Sequence, residues 1–149
     1  MQAAAAAAEA RRFPATPDAV REMDRWIEHV GERWGVDQRT LFRARVCVSE
    51  LANNILEHGR VTQDRDSMML ALRHTPPGVE IQLSDTGAAF DPVAAPIIEQ
   101  GHDHVGRRGL RIVRSYARAL SYRRDLDRNV VIIHVGQGPA DASSNRPST

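Results

Sequence analysis

Apolar residues at Val20, Met23, Ile27, Val30 and Trp34 recur at three- and four-residue intervals, the spacing that lines one face of an α-helix. With Thr16 as N-cap, Pro17 in the first helical position and Gly35 as the stop, this stripe predicts a helix over residues 17–34. A second stripe, Leu41, Ala44, Val48, Leu51 and Ile55, predicts a helix capped by Asp37 and ending near His58-Gly59. The period then changes from helical to alternating. Residues 67–74 and 79–85 read as two strands joined at Thr75-Pro76-Pro77-Gly78, an antiparallel hairpin. A third helix is predicted over 108–119, with strands at 120–124 and 129–135 closing the chain. Near the start, Arg11 to Ala15 reads as a short edge strand closed by Pro14, which has no amide hydrogen to give. Between Thr86 and Arg108 no period holds, and a loop so long in a small domain reads as a lid over a ligand. The order β, α, α, β, β, loop, α, β, β implies an α+β fold, a two-layer sandwich with helices on one face of a mostly antiparallel sheet.

At 149 residues and 42% hydrophobic content the chain has the size and core of one domain. Its alanine-rich start and its Gly-, Pro- and Ser-rich end have little to bury, so residues 1–9 and 137–149 are expected to be disordered around a domain at 10–136. Charge adds little direction: 20 basic against 19 acidic residues leave a net +1, and neither nucleic acid nor a membrane is the expected partner. All 20 basic residues are arginine, which excludes a P-loop lysine and any Schiff-base mechanism. The single cysteine, Cys47, sits in an apolar helical stretch and reads as a small buried hydrophobe. No secretory leader and no apolar run of membrane-spanning length is apparent, so a soluble cytoplasmic protein is expected.

Three places carry candidate chemistry. Glu50, Asn54 and His58 recur every fourth residue along the second helix and form one polar stripe beside the apolar one. A carboxylate and an amide there are costly unless something pairs with them. Strand residues Leu83-Ser84-Asp85 run into Thr86-Gly87-Ala88-Ala89-Phe90-Asp91-Pro92, placing an acceptor at a strand end and a glycine where a flat ring can approach. Asp-Thr-Gly is also an ordinary turn sequence, or half of an aspartic protease dyad that would need a dimer. Finally Gly106-Arg107-Arg108-Gly109-Leu110 reads as a glycine pair ahead of a helix, where free amides and two arginines favour phosphate. His102 and His104, one residue apart on the loop, read as solvated rather than metal-bound.

Together these segments resemble the three nucleotide-binding boxes of the GHKL ATPase superfamily, and within it the anti-sigma factor serine/threonine kinases, over residues 10 to 135. Glu50, Asn54 and His58 match the N box. The resemblance implies that Asn54 ligates Mg²⁺ between the phosphates of ATP and that Glu50 is the catalytic base. Asp85, Gly87, Phe90, Asp91 and Pro92 match the first glycine box, which implies that Asp85 takes the adenine amino group and Gly87 the ring edge. Gly106, Gly109 and Leu110 match the second glycine box, with Arg107 and Arg108 between the glycines. The chain departs from the family pattern at Tyr116-Ala117-Arg118-Ala119, where an acidic residue is common, and at His102-Asp103-His104.

The resemblance implies a Bergerat-type ATP-binding fold and an ATP-dependent protein serine kinase of a partner-switching module. It further implies phosphorylation of a STAS-domain anti-anti-sigma protein, sequestration of a sigma factor or equivalent target, and a homodimer. Three other readings stand beside it: an ATP-binding sequestering module without phosphotransfer, a detached histidine-kinase catalytic domain, and a DNA-binding regulator using the arginines at 107, 108, 111, 114 and 118.

Overall fold

In a computed structural model, residues 7–58, 67–92 and 104–136 are described, the first five of the last segment by backbone alone. The elements run β1 (Ala8–Phe13), α1 (Pro17–Arg33), α2 (Gln38–His58), β2 (Met68–Thr75), β3 (Gly78–Asp85), α3 (His104–Tyr116), β4 (Ala119–Asp125) and β5 (Arg128–Val135). The strands form one antiparallel sheet in the order β1-β2-β3-β5-β4. The expected α+β two-layer fold is therefore present.

Local chemistry sets the helix limits. The Thr16 hydroxyl accepts the Ala19 amide at 3.1 Å ahead of Pro17, and the Asp37 carboxylate accepts the Thr40 amide at 2.7 Å to start α2. α1 stops where Gly35 turns to a φ of +73°, a left-handed conformation that side chains disfavour. Met23, Ile27 and Val30 of α1 and Leu41, Ala44, Cys47 and Val48 of α2 are fully buried against Leu70, Ile81, Leu83 and Ile133 of the sheet. Each large side chain so buried contributes roughly 1.5–3 kcal/mol. α2 is the central helix, packed between α1 and α3 and on β3. Arg45 of α2 ties to α1 by a forked pair with Asp24 (3.0 and 2.8 Å) and a contact with Glu28 (2.7 Å). Burial pushes the Cys47 thiol up to about 12, the inert hydrophobe expected of it.

Two expectations need correction. β1 begins at Ala8, so residues 8 and 9 belong to the sheet and not to a disordered terminus. Ala8 pairs with Arg73 and Glu9 with Leu72, pairing that uses backbone groups to which an alanine run is no obstacle. The Glu9 carboxylate also reaches Arg33 at 2.5 Å. α3 starts at His104, four residues ahead of the expected Arg108, and ends at Tyr116. Gly106, Arg107, Arg108 and Gly109 thus lie inside the helix and not before it. Two glycines lower helical propensity, yet Leu110 and Val113 are buried, and burial of that face decides the outcome. Of the lid expected over Thr86 to Arg108, residues 93–103, His102 included, lie outside the described residues, as does the expected tail at 137–149; the side chains of His104, Arg107 and Arg108 lie outside them too.

Candidate functional site

The C-terminal half of α2 faces the end of the sheet where β3 finishes and β5 begins. Between them opens a cleft lined by Leu51, Asn54, Ile55, Leu83, Asp85, Phe90, Pro92, Asn129 and Val131, with about 410 Å³ of empty space counting its mouth. It is an open slot with mostly apolar walls and a few polar groups, the usual make-up of a small-molecule site.

Asn54 is 8% exposed, and among the described residues its Nδ2 is buried without a hydrogen-bond partner. An amide held so costs about 1–3 kcal/mol, which a ligand in the cleft would recover. Opposite it stands Asp85, 4% exposed at the end of β3. Its Oδ1 accepts from the Gly87 amide at 2.8 Å and the Asn129 Nδ2 at 3.1 Å, leaving Oδ2 without a donor among the described residues. Burial holds the Asp85 carboxyl above the usual carboxylate range, opposed by those two bonds and by the charges of Arg124 and Arg128.

Asn129 is the functional residue that sequence reasoning missed. It is paired with Asp85 across β3 and β5. Its Oδ1 accepts from the Tyr122 hydroxyl (2.7 Å), Arg124 Nη1 (3.1 Å) and the Phe90 amide (3.3 Å). Its Nδ2 donates to Asp85 and to the Ala88 carbonyl, the latter at 2.8 Å. The Arg124 guanidinium and the Phe90 N–H can only donate, so the orientation of the Asn129 amide is set by chemistry. Arg124 adds a bond to the Gly87 carbonyl at 2.8 Å, and the turn after β3 is thereby fixed. The signal available was a polar residue in an otherwise apolar strand, Asn129-Val130-Val131-Ile132-Ile133. Asn129→Leu is expected to destabilise the fold by about 3 kcal/mol, since it strips several buried groups of partners at once. Tyr122→Phe should cost only about 1 kcal/mol, and urea midpoints separate the two.

Among the residues picked from the sequence, Asn54, Asp85 and Phe90 meet at the cleft, with Gly87 buried at its turn. His58 joins them by stacking on Phe90, ring centroids 6.2 Å apart. Glu50, one turn before Asn54, sits on the seam between α2 and α3. A Cβ on Gly109 would fall 2.2 Å from Glu50 Oε2, so the missing side chain at 109 is what admits the carboxylate. Leu110 is buried beside it. For Arg107 and Arg108 the backbone is helical. A helix starting at His104 leaves the amides of its first three residues, that of Gly106 included, without acceptors inside the helix.

The profile of the Histidine kinase-like ATPase domain family matches residues 13–135. The chain belongs to this family. It is also 35% identical over 105 residues to the serine/threonine-protein kinase BtrW of Bordetella bronchiseptica, a match that takes in 66% of this chain and 72% of the relative. The likeness to anti-sigma factor kinases therefore stands. In fold, 87% of the chain superimposes on a crystal structure of the RsbU and RsbW domains of Rv1364c from Mycobacterium tuberculosis, with a TM-score of 0.65 at 15% identity. The chain spans about a third of that protein, 32% of its length. An ATPase-type domain makes ATP the expected nucleotide of this histidine kinase-like cleft. No helix among the described residues is long and apolar enough to cross a membrane.

Proposed function

We propose that the protein is an ATP-dependent serine-protein kinase of a partner-switching module, acting in the cytoplasm. The observation that carries this reading is the orphaned Nδ2 of Asn54, buried in the wall of a cleft whose other side presents Asp85. The roles are those that the family resemblance implies, and the geometry is compatible with them. Asp85, held from behind by Asn129 and Gly87, offers Oδ2 to the exocyclic amine of adenine. Gly87 leaves the ring edge room, and Phe90 with His58 closes one side.

Among the described residues no three His, Cys, Asp or Glu side chains gather into a metal cage. Mg²⁺ suits such a place, since it keeps most of its waters and takes its other ligands from phosphates and one or two protein oxygens. Asn54 would hold it through the amide oxygen. When bound, Mg²⁺ supplies charge neutralisation on the phosphates.

Glu50 takes the proton of a serine hydroxyl as its oxygen bonds to the γ-phosphorus, and the bond from that phosphorus to the bridging oxygen of ADP breaks. The first-turn amides of α3, with Arg107 and Arg108, receive the phosphates. The acceptor is a STAS-domain anti-anti-sigma protein, whose docking surface gains negative charge, and the sequestered target is a sigma factor or its equivalent. The protein acts as a homodimer, and β1 favours this by leaving one edge of the sheet unpaired among the described residues.

Isothermal titration with a non-hydrolysable ATP analogue, with and without Mg²⁺, is the deciding experiment. Saturable binding that tightens with Mg²⁺ is expected. Absence of heat at millimolar analogue would remove the nucleotide reading. Binding without transfer of phosphate to any STAS-domain serine would leave a sequestering module.

A further inference from the structure

At the opposite end of the sheet lies a second cleft, lined by Asp37, Arg39, Thr40, Arg43, Pro77, Ser115, Tyr116, Ala117, Arg118 and Gly136, with about 960 Å³ of empty space counting its mouth. Arg39 and Asn54 are fifteen residues apart on α2, about 22 Å at 1.5 Å per residue, so the two clefts occupy opposite ends of one helix.

Its chemistry differs from that of the nucleotide cleft. Its lining holds the guanidinium groups of Arg39, Arg43 and Arg118 and, as the one carboxylate in that lining, Asp37. That carboxylate caps α2 through the Thr40 amide at 2.7 Å and also feels the charges of Arg39 and Arg43, so it offsets part of the positive charge. Tyr116 forms an aromatic wall, with the Arg43 guanidinium over its ring at 5.4 Å and Phe42 tilted against it at 6.2 Å. Phe42 is 55% exposed, one of three large hydrophobic side chains left open among the described residues. The Arg118 amide donates to the His134 carbonyl at 2.7 Å, which fixes the far wall to β5.

Basic groups spread along an open slot beside an exposed aromatic pair suit an extended ligand better than a compact anion, which needs donors that converge on one point. With a net charge of only +1 on the whole chain, no strong overall positive field favours a membrane or a duplex. Charge complementarity therefore selects the occupant. We infer that this second cleft docks an acidic peptide segment of a partner protein, its carboxylates on Arg39 and Arg43 and an apolar side chain on the Phe42–Tyr116 pair. The inference does not depend on the nucleotide reading.

The test is fluorescence anisotropy of the full chain with a fluorescein-labelled peptide, Glu-Glu-Leu-Glu-Phe-Glu-Glu, against the same peptide with every Glu replaced by Gln. Saturable binding of the acidic peptide is expected. The double variant Arg39→Ser/Arg43→Ser should weaken it about tenfold or more, and Phe42→Ser about threefold or more. Titration of the ATP analogue should be unchanged in both, which separates failure here from failure of the nucleotide site. Phe42 is exposed, so Phe42→Ser tests the slot without endangering the core. The inference is overturned by no saturation at millimolar peptide, by equal binding of the Gln peptide, by full affinity in the variants, or by equal displacement with inorganic phosphate. Binding to phosphatidylserine vesicles without binding to the peptide would overturn it in favour of a lipid surface.

Discussion

Asp85→Asn is expected to lower affinity for an adenine nucleotide about ten- to a hundredfold while the domain stays folded. The substitution keeps Oδ1, and with it the bonds from Gly87 and Asn129, but replaces the acceptor Oδ2 by an amide donor. An amine meeting an amine loses one charge-assisted bond and leaves two donors unpaired. Stability should move the other way. Burial raises the folded-state pKa of Asp85 above its unfolded value, so the folded chain binds the proton more tightly than the unfolded one. Stability contributed by this group is then present below the unfolded pKa and lost as pH rises through the folded one. At neutral pH the ionised carboxylate is a cost, and Asn removes it. Thermal melts of the two proteins should differ most in their slope with pH above the usual carboxylate range, with the variant flatter and no less stable at pH 7. Loss of affinity accompanied by collapse of the melt would assign Asp85 to the fold and not to the ligand.

Gly109→Ala tests the α2–α3 seam and separates catalysis from stability more sharply. Alanine is the better helix former by about 1 kcal/mol, so a purely structural view expects a gain. The added Cβ, however, would lie 2.2 Å from Glu50 Oε2 and 3.1 Å from Glu50 Cδ. The carboxylate is the flexible partner and must swing away. Phosphotransfer is then expected to fall by about a hundredfold, within the range for a displaced general base, while analogue binding stays within about twofold. Glu50→Ala should give the same loss. In a Glu50→Ala background Gly109→Ala should cost nothing further, because both changes act through one group. Additive losses would show that Gly109 acts elsewhere, for example through the amides of α3.

The helices α1 and α2 and the β2–β3 hairpin were legible because each announces itself within a few residues: Thr16-Pro17, Asp37, Gly35 and the Pro76-Pro77 turn are local signals. The polar stripe of α2 and the strand-end position of Asp85 were legible for the same reason. What escaped notice depends on partners far away in sequence. Asn129 looks like a residue leaving a turn until its pairing with Asp85 sets it on the inner face. Gly109 reads as one of a glycine pair ahead of a helix until Glu50, 59 positions earlier, is found to occupy the space of its absent side chain. β1 was shortened because exposed alanines carry no pattern, and only the backbone ladder to β2 reveals them as strand. Its one buried side chain, Phe13, was the only hydrophobic cue.

The pairing order also dictates when the molecule becomes competent as it leaves the ribosome. α1 and α2 pack on each other from nearby sequence, but Phe13 must wait for Met68 before β1 has a neighbour, and Asp85 must wait for Asn129 before its carboxylate is held. Such distant closures come late. A nascent chain released before β5 would carry Asn54 and Asp85 with no wall behind them, so nucleotide cannot stabilise truncated products. On the proposed reading, a nucleotide could stabilise only a chain whose β5 is already paired with β3.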